Sequence, residues 1–185
     1  MSIAEDDDDV LVKRAIAGDR AGFAALVSKH YDTMFRVAWK WSGNREDAED
    51  IAQDVCVRLG RSIASFDGKS RFTTWLYRVV LNATHDHHRK SQTNKKKLED
   101  WANEPTRPTD QPPHAEFDND AAMTLWTAVR QLPPKQCDAV MLVFGEELTH
   151  GQAAQILGCA EGTISSNIHD AKKQLKQLLL QELRV

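Results

Sequence analysis

The 185-residue sequence is poor in cysteine, in long apolar runs and in net charge, and each shortage closes off a class of protein. Its three cysteines, Cys56, Cys137 and Cys159, are odd in number and scattered among apolar neighbours, so neither a disulfide frame nor a zinc site is expected. They read as buried free thiols of a reducing compartment. No apolar run is long enough to span a bilayer, and the opening MSIAEDDDD carries neither a basic stretch nor an apolar one. Membrane insertion and export are therefore not expected, and the chain reads as cytoplasmic. A formal net charge of −3 excludes a surface coated in basic groups, yet that total hides segregation. Acid gathers at Asp6–Asp9, at Glu46–Asp54 and in the middle of the chain. Base gathers at Arg71–Lys97 and Lys172–Lys176.

What remains is helical. Asp6–Asp9 reads as the charged cap of a short helix, Val10–Ala17, closed by Gly18. Asp19 caps a second helix whose apolar positions Phe23, Leu26, Val27, Tyr31, Met34, Phe35 and Ala38 repeat with helical spacing up to Gly43. Asn44 opens a third, with Ala48, Ile51, Ala52, Val55, Cys56 and Leu59 on its buried side. Along its other edge stand Asp47, Asp50 and Asp54, with Glu49 and Gln53 beside them. Like charges one turn apart disfavour a helix by a few tenths of a kcal/mol each. Such a ridge serves either as a solubilising surface or as a dock for a basic partner.

After a loop with Asp67-Gly68, the stretch from Arg71 runs about twenty residues without proline or glycine. Phe72, Leu76, Val79, Val80 and Ala83 form one apolar side. Arg71, Thr74, Trp75, Arg78, Asn82, His85 and Arg89 form a second stripe, continued by Lys90 and Lys95–Lys97. Cations neutralise phosphates, an indole stacks on an unpaired base and an amide reads a base edge. By itself the stripe fits a solvated amphipathic face equally well. His85 and His88 stand one turn apart, as metal ligands do, but no further ligand lies at a known spacing. No metal, no cofactor and no catalysis are expected.

Residues 98–120, rich in proline and polar groups, read as a flexible linker in which Trp101 is the apolar exception. Helical spacing returns with Met123, Leu125, Trp126, Val129 and Leu132, stopped at Pro133-Pro134. A further helix carries Cys137, Val140, Met141, Val143 and Phe144 and ends at Gly145. Thr149 then caps a short helix, Gly158 turns the chain, and a long helix follows with Ile164, Ile168, Ala171, Leu175 and Leu178 inward. Short helix, glycine turn and a second helix with outward Thr163, Ser165, Ser166, Asn167 and His169 is the helix-turn-helix pattern, with Lys172 and Lys173 placed for phosphates. The fold class expected is all-α: two helical domains, 1–97 and 121–185, joined by a flexible linker.

With both halves read, the chain resembles a bacterial RNA polymerase sigma factor of the extracytoplasmic-function (ECF) group in the sigma-70 family. DAEDIAQDV (Asp47–Val55) is similar to the family's polymerase-docking signature. FDGKSRFTTWLYRVVLN (Phe66–Asn82) resembles its −10 element reader, and the run from Leu132 to Leu175 its −35 reader. The resemblance implies that Asp47, Glu49, Asp50, Gln53 and Asp54 meet core RNA polymerase. It implies that Phe66, Asp67, Gly68, Lys69, Ser70, Arg71, Trp75, Arg78, Asn82, Arg89 and Lys90 take the −10 DNA, an extruded base lying between the loop and Asn82. Thr163, Ser165, Ser166, Asn167, His169, Lys172 and Lys173 take the −35 DNA, and an anti-sigma factor is implied as regulator.

Two departures stand out. Family members commonly carry Arg or Lys where this chain has Ser165, Asn167 and Asp170, so its recognition helix is cation-poor. Asp170 either accepts from a cytosine amino group or repels phosphate, and weak independent DNA binding with an atypical −35 sequence is expected. Cys56 stands where the family usually has Phe. The competing expectation is a sigma-like interaction protein, a decoy or stand-alone DNA binder that titrates an anti-sigma factor.

Overall fold

The computed structural model describes residues 3–99 and 120–182 of the chain, and every element of regular structure among them is helical. Two compact units result, Met1–Asp110 and Gln111–Val185, each with its own core. The expected linker, 98–120, lies outside the described residues over 100–119, Trp101 included; Leu98 and Glu99 still belong to a helix.

The first unit packs four helices: α1 Ile3–Ile16, α2 Arg20–Ser42, α3 Arg45–Ser62 and α4 Phe72–Glu99. The caps act as their sequence demands. Asp19 accepts from the amides of Ala21 and Gly22, and Gly43 ends α2 in the left-handed region at φ 70°. Asn44 accepts from Asp47 N at the start of α3. Gly22 sits where α1 crosses α2; a Cβ there would lie 2.6 Å from Arg14 Cβ, so the close approach requires glycine.

The core differs from expectation at its α1–α2 side. Asp6–Asp9 does not precede a helix starting at Val10; α1 already runs from Ile3, so the acidic run lies inside it. Asp8 is buried, with Lys29 Nζ 2.7 Å and His30 Nε2 3.0 Å from its Oδ1. A carboxylate buried this way is tolerable because both neighbours donate to it. On α2 the buried face is Leu26, His30, Met34, Val37, Ala38 and Trp41, whereas Tyr31, expected inside, is exposed. The inward stripe is rotated because His30, polar but partnered, occupies a core position. On α4 the buried set is Phe72, Leu76, Val80, Leu81, Ala83 and Thr84, with Val79 half-buried. Thr84 hides its hydroxyl by donating to Val80 O at 2.9 Å.

The second unit holds α5 Asp120–Arg130, α6 Pro134–Val140, α7 His150–Leu157 and α8 Glu161–Glu182. Between α6 and α7 the chain forms a π turn, Met141–Gly145. Its wider turn shifts the helical register, so Leu142 goes into the core and Phe144, expected inside, is 52% exposed. Leu125 is also exposed, and Leu175 and Leu178 are only half-buried, since α8 outruns the helices that cover it.

Of the cysteines only Cys137 is buried; Cys56 and Cys159 are half-buried. Burial, helped by the Asp138 charge, pushes the Cys137 thiol up to about 12. At pH 8 such a group holds roughly a thousandfold less thiolate than an ordinary cysteine. Ellman's reagent should therefore titrate Cys159 and Cys56 in the folded protein and reach Cys137 only in denaturant. Prompt titration of all three without denaturant would contradict the packing of α6.

Candidate nucleic-acid interface

The acidic edge of α3 is less uniform than its sequence suggests. Arg45 Nε donates to Glu49 Oε1 at 2.8 Å, Arg58 Nε donates to Asp54 Oδ2 at 2.8 Å, and His87 Nε2 on α4 stands 3.7 Å from Asp47 Oδ1. Asp50 and Gln53 are exposed and have no hydrogen-bond or ion-pair partner among the described residues. The ridge therefore offers two groups outright and three at the expense of a local pair.

Arg58 also reaches across to α4, where its Nη1 donates to Asp86 Oδ2 at 2.8 Å, and Asp86 Oδ1 takes Arg89. Hydrogen bonds from Arg58, then from Arg89, hold the Asp86 carboxyl below the usual carboxylate range. Burial disfavours the charge on Arg58, but its hydrogen bonds to Asp86 and Asp54 outweigh that and raise it. Neither Arg58 nor Asp86 stood out in the sequence, although the spacings Asp54/Arg58 and Asp86/Arg89 are those of paired helix neighbours.

The loop before α4 is built by a local turn. Gly68 takes φ 68°, and Asp67 Oδ1 accepts from Lys69 N at 3.1 Å. Lys69 Nζ lies 2.8 Å from Asp67 Oδ2; that bond holds the Asp67 carboxyl down and the Lys69 ammonium up. Phe66 is half-buried, edge-on to Phe72 at 6.0 Å between centroids and 5.4 Å from Trp75, while His30 tilts against Phe72 at 5.2 Å. Loop and helix start are thus fixed to the core through aromatic rings. Beyond them Arg71 is exposed just before α4 and Arg78, Asn82, Arg89 and Lys90 on it, with Trp75 and Ser70 half-buried. Asn82 has no hydrogen-bond partner among the described residues. The side chains of Lys95–Lys97 lie outside the description.

Two of the histidines of α4, His87 and His88, have different neighbours. His87 faces Asp47, and His88 pairs with Gln92 at 2.9 Å; among the described residues no group of three potential metal ligands converges.

In the second unit Thr149 and Gln152 form a reciprocal cap on α7, and Gly158 makes the turn at φ 65°. Ile164, Ile168 and Ala171 bury one side of α8. Thr163, Ser165, Ser166, His169, Asp170, Lys172 and Lys173 are exposed, and Asn167 is half-buried. Ser165 Oγ lies 3.0 Å from His150 Nδ1 on α7, and Lys172 Nζ stands 5.7 Å over the Phe144 ring. His150 and Phe144 were not legible as neighbours of this face.

Comparison with known proteins agrees with this geometry. The Sigma-70 region 2 family model matches residues 26–94, and the Sigma-70, region 4 model matches residues 122–175. The chain is 28% identical to the ECF RNA polymerase sigma factor SigW of Bacillus subtilis, over 91% of this chain and 94% of that one. It is 32% identical to the ECF RNA polymerase sigma factor SigM of Mycobacterium tuberculosis, over 95% of this chain and 86% of that one. Among solved structures it is similar to CnrH in complex with the cytosolic domain of CnrY, at TM-score 0.67 and 21% identity, covering 94% of this chain and 97% of that one. It is also similar to the sigma factor RpoE of Bartonella quintana, in complex with the anti-sigma factor NepR, at TM-score 0.65 and 23% identity, covering 85% of this chain and 96% of that one. With 32% identity to SigM over nearly its whole length and both regions matched, the chain belongs to the ECF sigma factors of the sigma-70 family.

Proposed function

We propose that this protein docks on core RNA polymerase through the exposed edge of α3 and reads promoter DNA with α4 and α8, its role resting on binding and not on catalysis. The observation that carries this is the pair of exposed groups on neighbouring helices, Asp50 on α3 and Asn82 on α4, neither with a partner among the described residues.

Asp47, Glu49, Asp50, Gln53 and Asp54 would meet a basic polymerase surface. Arg71, Arg78, Arg89 and Lys90 would hold the −10 backbone, and the Phe66–Arg71 loop with Trp75 and Asn82 would take an extruded base. A loop already fixed by the Phe66–Phe72–Trp75 rings lowers the ordering cost of that capture, which otherwise adds to a few kcal/mol of unstacking. Thr163, Ser165, Ser166, Asn167, His169, Lys172 and Lys173 would enter the −35 groove. Two of them, Ser165 and Lys172, already have neighbours in the protein, which fits weak independent binding that gains strength from polymerase tethering. The RpoE relative is bound to an anti-sigma factor, and we assign the same kind of regulator to this chain.

Run-off transcription with core polymerase on a library of randomised promoters is the test. New start sites sharing two spaced elements are expected only when the protein is added. Polymerase or anti-sigma binding without any initiation would replace this reading with the decoy.

A further inference from the structure

Four charged side chains link the edge of α3 to the exposed stripe of α4. Asp54 and Arg58 come from α3, Asp86 and Arg89 from α4. Arg58 places Nε and Nη2 each 2.8 Å from Asp54 Oδ2, while its Nη1 lies 2.8 Å from Asp86 Oδ2. Asp86 passes its other oxygen to Arg89. Signs alternate along the row, its net charge is zero, and these side chains have no other ion-pair partner among the described residues. Arg58 and Asp86 are each 30% exposed in the middle, whereas Asp54 at 46% and Arg89 at 77% are the open ends. One open end lies on the edge assigned to polymerase, the other on the stripe assigned to DNA.

We propose that this alternating row couples polymerase docking to DNA binding: a basic polymerase group that takes Asp54 leaves Arg58 to Asp86 alone and releases Arg89 to a DNA phosphate. The inference rests on the docking and DNA-contact assignments above. Its physics is charge arithmetic. With Asp54 neutralised from outside, the remaining three groups carry one net positive charge. Arg58, no longer divided, presents its planar fork to a single carboxylate, the arrangement guanidinium groups favour. Arg89 then exchanges half of a shared carboxylate for a phosphate it does not share. Because exposed pairs are individually weak, the gain is a graded one and not an on–off switch. Free protein would hold Arg89 back, and docked protein would present it.

The test uses the full chain and a fluorescein-labelled, mixed-sequence single-stranded DNA, read by anisotropy at several salt concentrations. Asp54→Asn imitates the loss of charge on docking. It should tighten binding a few-fold at low salt and steepen the slope of log affinity against log salt by about 0.7, one additional phosphate contact on a single strand. Asp54→Ser is the second route to the same loss, and circular dichroism confirms that each variant keeps its helices. Glu46→Gln, an equal charge change on the same helix outside the row, should leave the slope as it was. In an Arg58→Gln background, Asp54→Asn should have no effect.

Equal steepening by Glu46→Gln and Asp54→Asn would reduce the effect to general electrostatics and overturn the coupling. Wild-type slope in Asp54→Asn, with Arg89→Ala still weakening DNA binding, would overturn the coupling while keeping the DNA assignment. Arg89→Ala without effect on affinity or slope would remove the DNA assignment itself.

Discussion

Reversing the charge at Asp50 with Asp50→Lys is expected to weaken capture of core RNA polymerase roughly thirtyfold or more while leaving the fold in place. Like charges brought together across an interface cost several kcal/mol, and about 2 kcal/mol is already thirtyfold in Kd. Asp50 is the clean position on the ridge. It is exposed on the edge of α3 and carries no intramolecular partner among the described residues. Reversal of Glu49 or Asp54 would instead break the pairs with Arg45 or Arg58 and mix folding with docking. The neighbours of Asp50 that hold α3 to the core, Ile51 and Ala52, are at most 1% exposed and untouched by the change. Surface substitutions of this kind move stability by no more than about 0.5 kcal/mol. Titration of labelled protein with core polymerase, beside a thermal melt, separates the two quantities. A wild-type affinity in the variant would remove the α3 edge as the docking surface. The wild-type affinity should also fall as salt rises, and the variant's should fall less.

How far the sequence announces this structure depends on which level is asked. Helix existence and ends were legible because Asp19, Asn44 and Thr149 each spend a side-chain oxygen on free amides, and Gly43 and Gly158 take left-handed geometry. The acidic edge of α3 and the α4 stripe were legible as exposed surfaces because charge at helical spacing needs only periodicity to be located. Three things were not. Pairing across helices, as in Arg58–Asp86, depends on which turns of α3 and α4 meet, which no single-helix pattern contains. The exposure of Phe144 follows from one extra residue in the turn at Met141–Gly145, and apolar periodicity carries no mark of that insertion. The third is the buried acid of α1. There a signal existed: Asp8 stands at helical spacing from Leu11, Val12 and Ala15, all buried, and His30 stands so from Leu26, Met34 and Val37. Four successive aspartates read as a solvated cap because composition was weighed above period.

That buried acid leads to the largest expected loss of stability. Asp8→Ala should destabilise the first unit by about 2–3 kcal/mol, because it takes from the buried His30 ring the carboxylate that accepts from it. The Lys29 side chain is 31% exposed and keeps access to water, whereas the His30 side chain is 11% exposed and has little. Asp9→Ala, one residue on and exposed, should be neutral within about 0.5 kcal/mol, so the contrast isolates burial from the charge of the acidic run. Thermal or urea unfolding of the two variants measures it, and equal melting would mean that Asp8 contributes only as surface charge. The loss should also reach the face of α4 proposed to take DNA. His30 tilts against Phe72, and Phe72 supports both Phe66 and Trp75. A histidine seeking a new partner therefore disturbs the ring cluster that fixes the loop before α4. The order of events is then set by packing: the carboxylate holds the imidazole, the imidazole holds Phe72, and Phe72 holds the loop. A lowered affinity of Asp8→Ala for single-stranded DNA, measured well below its melting temperature and absent in Asp9→Ala, would be the functional trace of that chain.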